Sequence, residues 1–417
     1  MRGACQRTIL SDFKRNWIFL AILFISCIPQ FLMGYSHYLL ILLYPIILIN
    51  SQIRFYTGFW FSLLFGFAYT IPLFFHETPP NYAAISFALL YPSLFYLIPQ
   101  YLNLKFKNRY SLLIVTVIVI TCMASWTIFL NIEDTVLSKS VVNISRNLSS
   151  LDNKGGPYIT ATNHNMLLSL AIAGIGMIFV KANTEQQRKT KFVLIIIGLL
   201  SLYSGLHLLN RTAIALAFIA CIVPFVTVKF SAERLFWLIL ILGILALIFF
   251  LFVEDSMLYK TLEQGFESRS RTSRYTIESG GGRDIRMLAA LQQILETPLG
   301  ADKLHFNGSA AYAHNTWLDC GVQAGWMALL LLLYITYRFL KASYLVIFKQ
   351  TQIPSFWRAY LAILTVILML QLSVEPGIQG GSIVFFMIFY LWSMFDVLNS
   401  AWSKHALSPR LPVYESS

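Results

Sequence analysis

Apolar runs dominate the chain and leave little choice of fold. Twelve stretches, at 17–36, 38–53, 57–75, 82–103, 111–131, 164–181, 192–208, 212–228, 235–253, 317–337, 357–374 and 382–400, read as bilayer spans, which need about 20 residues each at the helical rise. Between them the chain has 12% charged residues, against about 25% in soluble domains, and its mean hydropathy is +0.66. The expected fold is an all-α polytopic membrane protein with about twelve transmembrane helices.

The basic residues orient these spans, because short cytoplasmic loops carry the Lys/Arg excess. With both termini inside, 20 of the 31 Lys and Arg face the cytoplasm, among them Lys14, Arg15, Arg54, Lys105, Lys107, Arg109, Arg188, Lys189, Arg338 and Lys341. Seven of the remaining 11 (Lys260, Arg269, Arg271, Arg274, Arg283, Arg286 and Lys303) fall in one long outer loop. The net charge of +12 is therefore topology signal plus this outer cluster, and it calls for no nucleic acid. The five cysteines are scattered, with neither a disulfide framework nor a metal spacing. The first apolar run follows Lys14-Arg15 without a small-residue cleavage site, which predicts a retained helix.

A single transmembrane domain over 1–417 carries two outer insertions: a shorter loop at 131–163 and the long one at 254–315, which forms a helical cap. Within the long loop, residues 284–296 (DIRMLAALQQILE) place Ile285, Leu288, Leu291 and Leu295 on one side, and the segment ends at Thr297-Pro298 and Gly300. This predicts an amphipathic helix starting just after Gly280-Gly281-Gly282, its apolar face lying on the membrane domain or at the lipid interface.

Arg283 sits where that helix begins. Free backbone N–H groups and the positive end of the helix dipole favour an anion there, and a guanidinium offers a fork of donors to phosphate; pairing with Asp284 or plain solvation is the alternative. Arg286 follows at i+3, so both can address one ligand. Arg211 stands at the junction of two apolar runs, where a cation costs ~2.5–3.5 kcal/mol unless it snorkels or finds a partner. With Arg283 it suggests a diphosphate clamp at the lipid–water boundary.

His314-Asn315 opens the tenth run. A free imidazole titrates near ~6.5, which suits a general base at neutral pH; a boundary histidine serving only as an interfacial polar group is the alternative. His164 is placed similarly between Asn163 and Asn165, with no basic cluster beside it in sequence. Glu375 is the only acid of its short outer loop; it either orients His314 or an acceptor hydroxyl, or is a solvated loop residue.

Three of these segments resemble motifs of the O-antigen ligase and polymerase superfamily. Asn210-Arg211-Thr212-Ala213 is similar to its S/T-R-small motif, Gly282-Arg283 through Pro298-Leu299-Gly300 to its GR…P…G segment, and His314-Asn315 through Gly325 to its HN…G segment. The likeness covers roughly residues 195–335 and the twelve-helix layout. It implies a GT-C-like membrane fold in the bacterial inner membrane, with the active site on the periplasmic face. Arg211, Arg283 and Arg286 would bind the diphosphate of an undecaprenyl-linked glycan donor. His314 would be the catalytic base of a metal-independent inverting glycosyl transfer, supported by Asn315, Glu375 or His164, with no cofactor and no nucleotide.

The chemistry is self-sufficient, since a lipid diphosphate is an already activated leaving group. Lipid A core as acceptor makes the enzyme an O-antigen ligase, the expected function because one outer loop carries most of the outer cations. A second lipid-linked repeat unit as acceptor makes it a polymerase, and the first loop does hold Lys139, Arg146 and Lys154. A flippase of lipid-linked saccharide is the third reading, but such carriers place charges along the helices lining their path.

Overall fold

The computed structural model describes residues 2–28, 36–50, 52–76, 82–138, 161–207, 211–227, 283–301, 303–306, 309–375 and 383–407. The predicted span at 235–253 and most of the first outer loop and of the N-terminal part of the second lie outside these residues. Every other predicted span contains helix. In chain order the α-helices are α1 (Arg2–Arg15), α2 (Trp17–Ser26), α3 (Leu43–Leu48), α4 (Thr57–Leu73), α5 (Tyr82–Lys105), α6 (Arg109–Ser138), α7 (Ala161–Ile172), α8 (Glu185–His207), α9 (Arg211–Thr227), α10 (Arg283–Glu296), α11 (Thr316–Tyr344), α12 (Ser355–Val374) and α13 (Ile383–Leu407). A two-stranded antiparallel hairpin, β1 (Leu304–Phe306) and β2 (Ser309–Ala311), lies between α10 and α11.

Among the described residues six helices are long and apolar enough to cross a bilayer. The expectation of about twelve crossings is thus met in part. The other apolar helices run 10–17 residues, and two of the predicted spans are partly wound as 3-10 helix, at Ser36–Leu42 and Ala173–Phe179. Helix forms along these runs because a bilayer offers no partner to backbone N–H and C=O groups, which must then bond within the segment. Hydroxyls follow the same rule: Thr70, Thr116 and Thr365 each donate to the carbonyl four residues back.

α13 is the central helix, and its Phe385, Phe389, Tyr390 and Trp392 are fully buried. Polar bonds fix its register. Tyr96 of α5 donates to the Asp396 carboxylate at 3.0 Å, and Gln100 donates to the Ser393 hydroxyl at 3.1 Å.

Ring and hydrogen-bond pairs also set the helix directions. Tyr69 and Phe61 of α4 meet Gln323 and Tyr334 of α11 respectively, so these two helices are antiparallel. Gln350, just past α11, bonds Asn399 near the end of α13. The start of α11, the end of α12 and the start of α13 therefore gather at one end of the bundle. At the opposite end the Asp12 carboxylate accepts the backbone N–H groups of Lys107 and Asn108 and the Ser111 hydroxyl, tying α1 to the start of α6. α7, α8 and α9 run alternately: Gly198 packs on Ala171, and Gly205 packs on Ala213. The starts of α7 and α9 consequently lie together.

Candidate functional site

The loop between β2 and α11 is built around one unusual residue. His314 has φ of 56°, the only positive φ of a non-glycine among the described residues. The left-handed region is sparsely populated by side chains with a Cβ, and holding one there costs ~1–3 kcal/mol. Asp319 holds it. Its Oδ1 accepts the Ala313 N–H at 2.8 Å and its Oδ2 accepts the Asn315 N–H at 3.1 Å, so the carboxylate grips the chain on both sides of the histidine. Asp319 is 1% exposed, and a buried carboxylate is tolerable there because both oxygens are bonded.

Asn315 is the N-cap of α11, its Oδ1 accepting the Leu318 N–H at 3.1 Å. The same side chain donates to the Ser373 carbonyl at 3.2 Å, and Thr316 donates to the Glu375 carbonyl at 2.9 Å. These two bonds dock the histidine loop on the last turn of α12. There the Glu375 carboxylate, 7% exposed, stands 3.6 Å from His314 Nδ1, and the imidazole itself is 23% exposed. Nδ1 is shut off from solvent and makes no hydrogen bond, so the carboxylate, standing just beyond hydrogen-bond reach, is a charged neighbour of the ring.

The segment that begins at Arg283 packs against this loop through its own small core. Ala290 and Ile294 of α10 bury with Leu304, Ala313 and Val322, and Ala313 is the residue before the histidine. Gln293 straps the hairpin to α10, donating to the Lys303 carbonyl and accepting the His305 N–H, both at 2.9 Å. The helix then ends on α11. Gly325 breaks α11 with φ 74° and ψ −169°, and the Pro298-Leu299-Gly300 turn fills the break. Trp326 N–H donates to the Pro298 carbonyl at 2.9 Å and Ala301 N–H to the Val322 carbonyl at 2.6 Å. Gly300 also has positive φ, 93°. A Cβ on Gly300 would stand 2.9 Å from the Gly325 nitrogen, and one on Gly325 would stand 2.8 Å from the Gly300 nitrogen. Only two glycines let these backbones approach so closely.

The predicted site residues thus fall into two groups. His314, Asn315 and Glu375 are brought together, as above. Arg286 lies on the α10 face that bears Ala290 and Ile294, half-buried, with its Nε shut off from solvent. Arg283 opens α10 and Arg211 opens α9, while His164 stands in the first turn of α7; the side chains of these three lie outside the described residues. His164 and Arg211 share the gathered starts of α7 and α9. Of the two placings expected for the apolar face of α10, packing on the membrane domain does not hold for Leu288 and Leu295, which are 68% and 70% exposed.

Asp319, Gln323 and Tyr69 were not among the sequence candidates. For Asp319 the signal was present, since an acid inside an apolar run must have a partner or a task. For the Tyr69 to Gln323 bond there was none, because it joins residues far apart in the chain. Comparisons with protein-family models and with curated proteins give no match for this chain.

Proposed function

We propose that the chain is a membrane glycosyltransferase of the O-antigen ligase type, which moves an undecaprenyl-diphosphate-linked polysaccharide onto lipid A core at the periplasmic face of a bacterial inner membrane. The observation that carries this reading is the held conformation of His314: left-handed, clamped by Asp319 and backed by Glu375. Strain of this kind is kept where a side chain must be aimed. The docking of Pro298-Leu299-Gly300 on Gly325 supports it further, because it couples the arginine-bearing helix to the histidine loop.

In this mechanism Nε2 of His314 takes the proton of an acceptor sugar hydroxyl as that oxygen attacks the anomeric carbon. The bond from that carbon to the diphosphate oxygen breaks with inversion, and the lipid diphosphate leaves with the electron pair. Arg283 and Arg286 stabilise the charge growing on it. With the predicted alternation of spans α9 begins on this same face, and Arg211 completes the clamp. Glu375 stabilises the imidazolium that forms, and the ring is a neutral base again when its proton passes to water.

Purified protein in lipid nanodiscs, given lipid-linked glycan and either lipid A core or a second lipid-linked repeat unit, tests the reading. Glycan on lipid A core supports ligation. Lengthened lipid-linked glycan identifies a polymerase, and transfer to neither acceptor refutes both.

A further inference from the structure

Helix α10 has three sides. Ala290 and Ile294 face the bundle. Gln292 and Glu296, exposed and bonded to each other at 2.9 Å, form a second side with the half-exposed Ile285 between them. Leu288, Leu291 and Leu295 form a third side, which Leu299 extends at 81% exposure beyond the last turn. A water-facing helix with one inward apolar face has no need of a second apolar face, and such a stripe left in water would be a liability.

The stripe abuts a surface of known partner. α11 exposes Trp326, Leu330, Leu333, Tyr337 and Leu340, spaced by three and four residues along one side of a helix that crosses the bilayer. Trp326 heads this lipid-facing side, and its indole Nε1 donates to the Ile294 carbonyl at 3.0 Å, next to Leu295. Tryptophan with a bonded N–H and a greasy body belongs at the membrane interface. Helix α10 is docked at this same end of α11, the end that carries His314.

We propose that α10 is an in-plane membrane anchor, its Leu288, Leu291, Leu295 and Leu299 side sunk among the acyl chains of the leaflet beside Trp326, its Gln292 and Glu296 side in water. The anchor sets the height of the helix start that carries Arg283 at the level of lipid phosphates, and it holds whatever group the neighbouring histidine loop transfers. The occupant is lipid rather than a second copy, because the Trp326 to Ile294 bond sets the stripe beside the exposed apolar side of a helix long and apolar enough to cross the bilayer.

Nitroxide labels on Leu288→Cys, Leu295→Cys and Gln292→Cys, read in proteoliposomes by power saturation after subtraction of the labelled unmutated chain, test this directly. The two leucine positions are expected to collide several-fold more with oxygen than with a water-soluble nickel chelate, and Gln292→Cys to show the reverse. All three positions are exposed, so the substitutions leave the packed face intact. Labels at 288 and 295 that prefer the nickel chelate would overturn the anchor. So would labels shielded from both reagents with dipolar broadening, which would place a second copy on the stripe.

Discussion

The Glu375 carboxylate stands 3.6 Å from His314 Nδ1, although 60 positions of sequence separate the two residues. Two backbone-directed bonds from the histidine loop to the end of α12, by Asn315 and Thr316, set that distance. Replacing Glu375 with Gln keeps the shape and removes the charge behind the ring. The expected result is a fall in kcat by one to two powers of ten, part of the ~10²–10⁴ that a positioned acid or base supplies, with donor affinity unchanged. Steady-state kinetics with a titrated donor separates the two; an unchanged kcat would make Glu375 a structural residue.

Asp319 tests the clamp. Asp319→Asn leaves one acceptor oxygen where two N–H groups need one each, and it turns an NH2 group toward a donor. A cost of ~1–3 kcal/mol is expected for the stranded buried group, seen as a lowered Tm in detergent, together with a loss of transfer rate larger than that of Asn315→Ala. Unaltered stability and rate would show that His314 keeps its conformation without the carboxylate.

The glycine pair makes a sharper stability prediction. Gly325→Ala places a Cβ against the Pro298-Leu299-Gly300 backbone and puts an L side chain at φ 74°. A loss of more than ~1–3 kcal/mol is expected, since strain and overpacking add. Gly300→Ala should be similarly harmful. Thermal unfolding checks both, and a wild-type Tm in either variant would contradict the docking.

Arg286→Ala should slow transfer ten- to hundredfold, from the ~1.5–3 kcal/mol of a charge-assisted hydrogen bond. Arg286→Lys should recover only part of this, because an ammonium lacks the planar fork. Donor binding measured by competition with a soluble polyprenyl diphosphate analogue reads the same change. Full activity in Arg286→Ala would remove it from the clamp.

Much of this arrangement was legible in the chain, for identifiable reasons. Apolar runs declare helices, and the extent of α10 was read to within one residue because Gly282 and Pro298 bracket a run of strong helix formers. His314, Asn315 and Glu375 stood out as polar residues at the ends of greasy segments, and they converge. The length of the crossings was less legible, since hydropathy does not distinguish α-helix from the 3-10 turns at 36–42 and 173–179. Which side of α10 packs inward was left open by the sequence. Its strongest hydrophobes point away from the protein, and the small Ala290 with Ile294 makes the contact.

The central claim is that His314 is the base. Purified protein and its His314→Ala variant, reconstituted with lipid-diphosphate-linked glycan and lipid A core, decide it by the rate of glycan transfer under saturating donor. The account predicts transfer by the unmutated chain, a loss of at least ~10²-fold in the variant and the same donor affinity in both. Transfer by His314→Ala at the unmutated rate would contradict it.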